Sequence, residues 1–305
     1  MDTFLQQLVN GLLLGSIYAL VALGYTMVYG ILGIINFSHG AVVMIGAMVA
    51  LSVIMALGSM PVAVVLGVAT LVSIAACTVL GLVIERVTFR PLRYAPKLAP
   101  LITGIGISLV IQYAAAQVWG NHYLSVPEII KPTKIALGGA QITSTQGFIF
   151  LLDCAVMAGL LWFVKTSRMG RAMRATEQNP DVAGLMGVDV TRVFAFTFAL
   201  GAAIGAIAGI MVMLYFGQAH YLMGAMLGLK AFTAAVLGGI GSISGAMLGG
   251  LLLGLIESLA SGYIGDLTGG IFGSNYRDVF AFLVLILVLM FKPSGLMGVS
   301  SGDRA

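Results

Sequence analysis

The chain has 305 residues, of which 60% are hydrophobic and 9% charged, against roughly 45–50% and about 25% in an ordinary soluble domain. That apolar share is too large for a water-soluble interior, which excludes soluble enzyme and soluble binding-module classes. The formal net charge of +4 does not point to nucleic acid, because the Lys and Arg residues fall in short loops between apolar runs and form no basic face.

Apolar runs near the roughly 20 residues that cross a bilayer as a helix recur from end to end. The first, residues 5–34, is too long for a signal-peptide core and lacks a basic start, since only Asp2 precedes it, so it is expected to be an uncleaved span. Further spans are expected at 40–57, 61–84, 98–119, 147–165, 193–216, 227–240, 246–264 and 276–291. The expected fold is all-α, a polytopic transmembrane bundle of eight to nine spans with broken helices, in one domain over 1–305. The count turns on 227–240, which is short for a full crossing and is also compatible with a half-helix packed inside the protein. Cys77 and Cys154 fall inside apolar runs and read as small hydrophobes.

Orientation follows from the bias of Lys and Arg toward cytoplasmic loops. One loop holds Arg86, Arg90, Arg93 and Lys97; another holds Lys165, Arg168, Arg171 and Arg174, with Arg192 at its edge. Both should be cytoplasmic, and the 121–146 loop, with Lys131 and Lys134 against Glu128, should lie outside. Nine spans then put the N-terminus outside and Lys292 and Arg304 inside.

Two apolar runs are interrupted by similar sequences. Residues 32–41 align without gaps onto 237–246, matching at Leu, Gly, Ile, Gly and Ala. Paired breaks of this kind build substrate paths in repeat transporters, because unwound backbone offers free polar groups at membrane depth; chance similarity in a chain with 41 glycines is the competing account. Asn36, Ser38, His39 and Gly40 at the first break, and Gly241, Ser242 and Ser244 at the second, are the candidate path residues, a structural hydrogen-bond network being the alternative. Glu257 lies in an apolar span and must be paired, protonated or near water. A salt bridge with Lys230 or across a subunit interface is the preferred reading. Asp153 is expected near the outer surface, solvated.

No phosphate loop, nucleophile elbow or metal-ligand cluster occurs, so neither catalysis nor a cofactor or metal is expected. The segment at about 166–191 carries the most specific local signal. Asn179, Pro180 and Asp181 make a helix start, the proline standing at the first helical position. A short helix to Met186, closed by Gly187, would show Val182, Leu185 and Met186 as an apolar stripe. By itself that pattern also fits an amphipathic helix lying on the bilayer.

This segment resembles the coupling loop of ATP-binding-cassette importer permeases, in which a short helix with small residues four apart, here Ala183 and Gly187, docks in a cleft of the ATPase. Residues 25–30, 35–40, 84–87, 167–172 (with Arg171) and 230–242 resemble, in the same order, signature stretches of the H-type permease of leucine, isoleucine and valine importers. The resemblance implies a bacterial inner-membrane subunit that pairs with a second permease, two cytoplasmic ATPases and a periplasmic or extracellular binding protein. One departure is Ala41, where relatives carry an acidic residue. Substrate detail therefore stays open, because cousins of this family move urea, short amides and other amino acids. An ion-coupled carrier is the rival class, with Lys230 and Glu257 as its only relay.

Overall fold

A computed structural model describes residues 2–298 except 59, 94, 97, 128–132, 138, 270–275 and 293. Lys97, Glu128, Lys131 and Arg304 lie outside the described residues. The helices are α1 (Asp2–Leu32), α2 (His39–Ala56), α3 (Val62–Ile84), α4 (Leu98–Trp119), α5 (Ser144–Thr166), α6 (Arg168–Gln178), α7 (Pro180–Leu185), α8 (Val190–Phe216), α9 (Met223–Gly238), α10 (Ile243–Leu267) and α11 (Arg277–Phe291). A π-helical stretch, Glu85–Phe89, extends α3. Four short strands pair as β1 (Leu124–Ser125) with β4 (Gln218–Ala219) and β2 (Lys134–Leu137) with β3 (Ala140–Thr143), both antiparallel.

Seven helices are long and apolar enough to cross a membrane, and the stretches Met223–Gly238 and Phe282–Phe291 are shorter apolar helices. α9 begins four residues before the expected run and spans 16 residues, about 24 Å at 1.5 Å per residue. Its first turn packs against the start of α2, Gly224 on Gly40. One end of the bundle carries the β2–β3 hairpin, held to α1 by Gln6, whose Nε2 donates to Gln141 O at 3.1 Å. The other carries both basic loops, joined by Arg93 Nη1 donating to Thr191 Oγ1 at 3.2 Å. The chain after α11 returns to that basic end, where Leu296 N and Met297 N donate to the last carbonyls of α9, Leu237 and Gly238.

α1 is the core. Seven consecutive residues, from Ile17 through Leu23, are buried, which is the mark of a helix enclosed on all faces. It packs on α10, α8, α9, α2 and α5. Lipid tails are as apolar as leucine, so helices in a membrane associate through close van der Waals fit, and small residues four apart permit it. Gly11 and Gly15 on α1 face Gly254 and Leu255 on α10, with Gly250 against Ala19. Gly205 and Gly209 on α8 receive α2 at His39 and Val43, and Gly224 and Gly228 on α9 receive Gly40. A methyl group at most of these positions would overlap backbone. α3, α4 and α5 form the outer layer and expose large apolar side chains such as Leu71, Val79, Val110 and Trp162.

One expectation fails here. Asp153 does not lie in solvent: it is fully buried and accepts a hydrogen bond of 2.8 Å from Ser16 Oγ. Its place in the run of α5 says how deep it sits but not which way it faces, and it faces α1.

Candidate functional site

Both breaks are real interruptions of helix. The chain leaves α1 at Gly33, where φ is +65°, and turns back along the same helix, so that α2 starts inside the bundle. His39 lies against Gly24, about two turns short of the end of α1, and against Gly205 in the middle of α8. The turn is set by Asn36, whose Oδ1 accepts from Ser38 N at 3.1 Å and Ser38 Oγ at 2.5 Å. This is the side-chain mimic of a backbone turn that asparagine makes well. Tyr25 meets the His39 ring edge-on at 5.0 Å. Nε2 of His39 is buried without a hydrogen-bond partner among the described residues.

The second break runs from Gly239 through Ser242. Gly239 and Gly241 have φ of +108° and +93°, a region favouring glycine. Ser242 Oγ then caps α10 by accepting from Gly245 N at 3.1 Å, with Ser244 Oγ 3.4 Å away. The second break meets the last turn of α1, where Gly241 lies directly against Gly30. Ile35 and Ile240, which the internal alignment makes equivalent, line one narrow crevice with Tyr25, Tyr29 and Phe232. Below it a cavity of about 670 Å³ opens at the basic end between Gly33, Ile35, Ile240, Gly241 and Glu177. The two breaks are thus brought together at Ile35 and Ile240. Ser38, His39 and Gly40 belong to the packed start of α2, while Gly241 lines the cavity.

At the same end, Ser167 caps α6 by accepting from Gly170 N at 2.8 Å. Arg171 Nη1 donates to Thr166 O at 3.0 Å, and Arg174 donates to Val164 O. Asn179 Oδ1 caps α7, accepting from Asp181 N at 3.0 Å and Val182 N at 3.1 Å, with Pro180 at the first turn. Gly187, with φ +88°, ends the helix as Val188 N donates to Ala183 O at 3.0 Å. Leu185 is 88% exposed and Met186 81%, whereas Ala183 is 4% exposed. Ala183 therefore does not form a small-residue contact face with Gly187. It packs inward, Gly187 serves the turn, and the free surface is Val182, Leu185 and Met186.

Lys230 and Glu257 belong to one cluster. Lys230 Nζ donates to Glu257 Oε1 at 2.8 Å and to Tyr18 Oη at 3.1 Å, and Tyr18 donates to Glu257 Oε2 at 2.9 Å. Asp278 Oδ1 lies 2.8 Å from the same ammonium. The sequence singled out Lys230 and Glu257 but not Tyr18 or Asp278. Asp278 stands in the first turn of α11, where an acidic residue reads as a helix-dipole partner, and a mid-span tyrosine carries no signal of its own. A second pair, Arg93 and Glu85 at 2.6 Å, with the guanidinium 4.4 Å over Phe194, braces the basic end.

A family model described as "Branched-chain amino acid transport system / permease component" matches residues 7–289. A relative from Pseudomonas aeruginosa, the high-affinity branched-chain amino acid transport system permease protein BraD, is 43% identical over 97% of this chain and 96% of its own. The corresponding permease protein LivH of Escherichia coli is 42% identical over the same shares, and a probable branched-chain amino acid permease protein of Methanocaldococcus jannaschii is 26% identical over 95% and 91%. No solved structure matches the chain.

Proposed function

The chain belongs to the family of branched-chain amino acid transport system permease components, and from that premise we propose that it is one of two related membrane-spanning subunits of an ATP-driven importer for leucine, isoleucine and valine. Near-full-length identity to permeases so described carries the reading, and the geometry supplies parts that suit it. The partners are a second permease, two cytoplasmic ATPases and an external binding protein, in a bacterial inner membrane.

In this reading the path runs past the two breaks. Ile35, Ile240 and Phe232 offer apolar wall to a branched side chain, and the unwound backbone offers dipoles to its polar end. The 166–191 segment is the coupling loop. An ATPase that grips Val182, Leu185 and Met186 pulls on α6, and through the Arg174 and Ser167 contacts it moves the inner end of α5. ATP drives transport only because the ATPases contact α7 differently in their two states.

The test is uptake of labelled leucine and of urea, in separate assays, by vesicles holding this chain with its neighbouring subunits and binding protein, with and without ATP. ATP-dependent leucine uptake is the expected result. Uptake of urea alone keeps the architecture and replaces the substrate, and flux independent of ATP overturns the importer.

A further inference from the structure

A second cavity, of about 230 Å³, opens at the hairpin end of the bundle, away from the two breaks. Tyr123 and His220, stacked at 4.3 Å beside the β1–β4 ladder, stand at its mouth. Phe216, Met226 and Leu227 form its wall, and Lys230 and Asp278 its floor. We propose that this cavity is an outward-facing binding site for a zwitterionic α-amino acid, with Lys230 taking the carboxylate, Asp278 the ammonium and the wall an apolar side chain. The proposal rests on the transport reading above and adds to it the place where substrate is first held.

Three observations converge on this chemistry. Both signs of charge sit together at the bottom of an apolar cleft, so a neutral ligand that carries both signs matches the floor without bringing net charge into the protein. Lys230 is fixed from behind by Glu257, while Tyr18 and Asp278 line the cavity on either side of it. Asp278 is the outer member of the cluster: its side chain is 28% exposed, against 1% for Glu257. An incoming α-carboxylate takes the place of Asp278 on Lys230, and the α-ammonium pairs with the displaced Asp278. One ion pair is exchanged for two, each between charged groups in a partly dry site where such bonds are strongest. A ligand with only one of the two charges exchanges the Lys230–Asp278 pair for one new pair and not two. A branched-chain amino acid has both charges and an apolar remainder.

The site is tested on the whole complex in sealed vesicles, with Met226→Cys as a reporter labelled by a membrane-impermeant maleimide added on the binding-protein side, and Phe216→Cys as a second reporter. Leucine is expected to slow labelling, whereas 4-methylpentanoate, which lacks the ammonium, and 3-methylbutylamine, which lacks the carboxylate, do not. Adding Asp278→Asn is expected to raise the leucine concentration for half-protection about tenfold or more, the loss expected for one charged hydrogen bond. Labelling that leucine leaves unchanged at both positions, or no labelling at either, overturns the site even while the unsubstituted complex still takes up leucine with ATP. Equal protection by all three compounds overturns the zwitterion assignment. If the unsubstituted complex takes up no leucine but a different α-amino acid protects the reporter, the site stands and the transport reading changes its substrate.

Discussion

Glu257 shows what a single buried carboxylate demands. It is held by Lys230 and Tyr18 with almost no solvent contact, and removing Lys230 takes the ammonium away from Glu257 and Asp278 alike. Lys230→Met should therefore lower the stability of the detergent-purified complex by about 3–5 kcal/mol, while Lys230→Met combined with Glu257→Leu should cost less than Lys230→Met alone. Thermal unfolding decides between them: a double variant less stable than the single would mean that the pair is not the source. Asn36→Ala should cost about 1–3 kcal/mol on the same assay by leaving Ser38 N and Oγ unsatisfied. At this scale the sequence was informative wherever a residue type broke its surroundings. Glu257 and Lys230 stood out as charges in apolar runs, and Asn36 as a turn former between two helices. Tyr18, Asp278 and Asp153 did not stand out correctly, because partner and direction depend on helix rotation, which hydropathy does not encode in a helix apolar on all sides.

Among the elements, α7 and the glycine seams carry the sharpest expectations. Leu185→Asp places a charge on a surface with no partner in this chain, so it should leave the permease folded in the membrane and reduce ATP-driven uptake about tenfold or more, the loss of a well-packed apolar contact at an interface. Unchanged uptake would free α7 from its coupling role. Gly187→Ala acts differently, since its φ of +88° disfavours any Cβ; it should destabilise the loop by about 1 kcal/mol. Gly254→Leu drives a side chain into the backbone of Gly15, and loss of the assembled complex from membranes, seen on native gels, is the expected outcome. The long helices were legible because a 20-residue apolar run has few other uses, and α7 because asparagine, proline and a closing glycine mark a helix at both ends. The π-helical stretch at Glu85–Phe89 and the four strands were not. The π-helical stretch and the β1–β4 ladder are fixed by neighbours distant in sequence, β1 meeting β4 across four helices, whereas β2 and β3 form a local hairpin. α9 was placed but cut short at its start, where Met223–Met226 reads as a continuation of the loop before it.

For the whole molecule, the two cavities lie toward opposite ends with α9 between them, the arrangement that alternating exposure requires. A cysteine at Ile240 should react with a polar maleimide from the cytoplasmic side, and one at Met226 from the outside. Reaction of both from the same side in inverted and right-side-out vesicles would contradict that arrangement. The enclosure of α1 also has a consequence for how the protein is made. Synthesis delivers α1 first, yet the helices that wrap it include α8, α9 and α10, which emerge late. Until then α1 must wait in lipid as an isolated helix, stable there because its backbone is satisfied internally, with the Tyr18 hydroxyl far from Lys230 and Glu257 in time as well as in sequence. Chains arrested before α10 should thus be inserted but unassembled, and membrane proteases would meet them with the central helix laid bare.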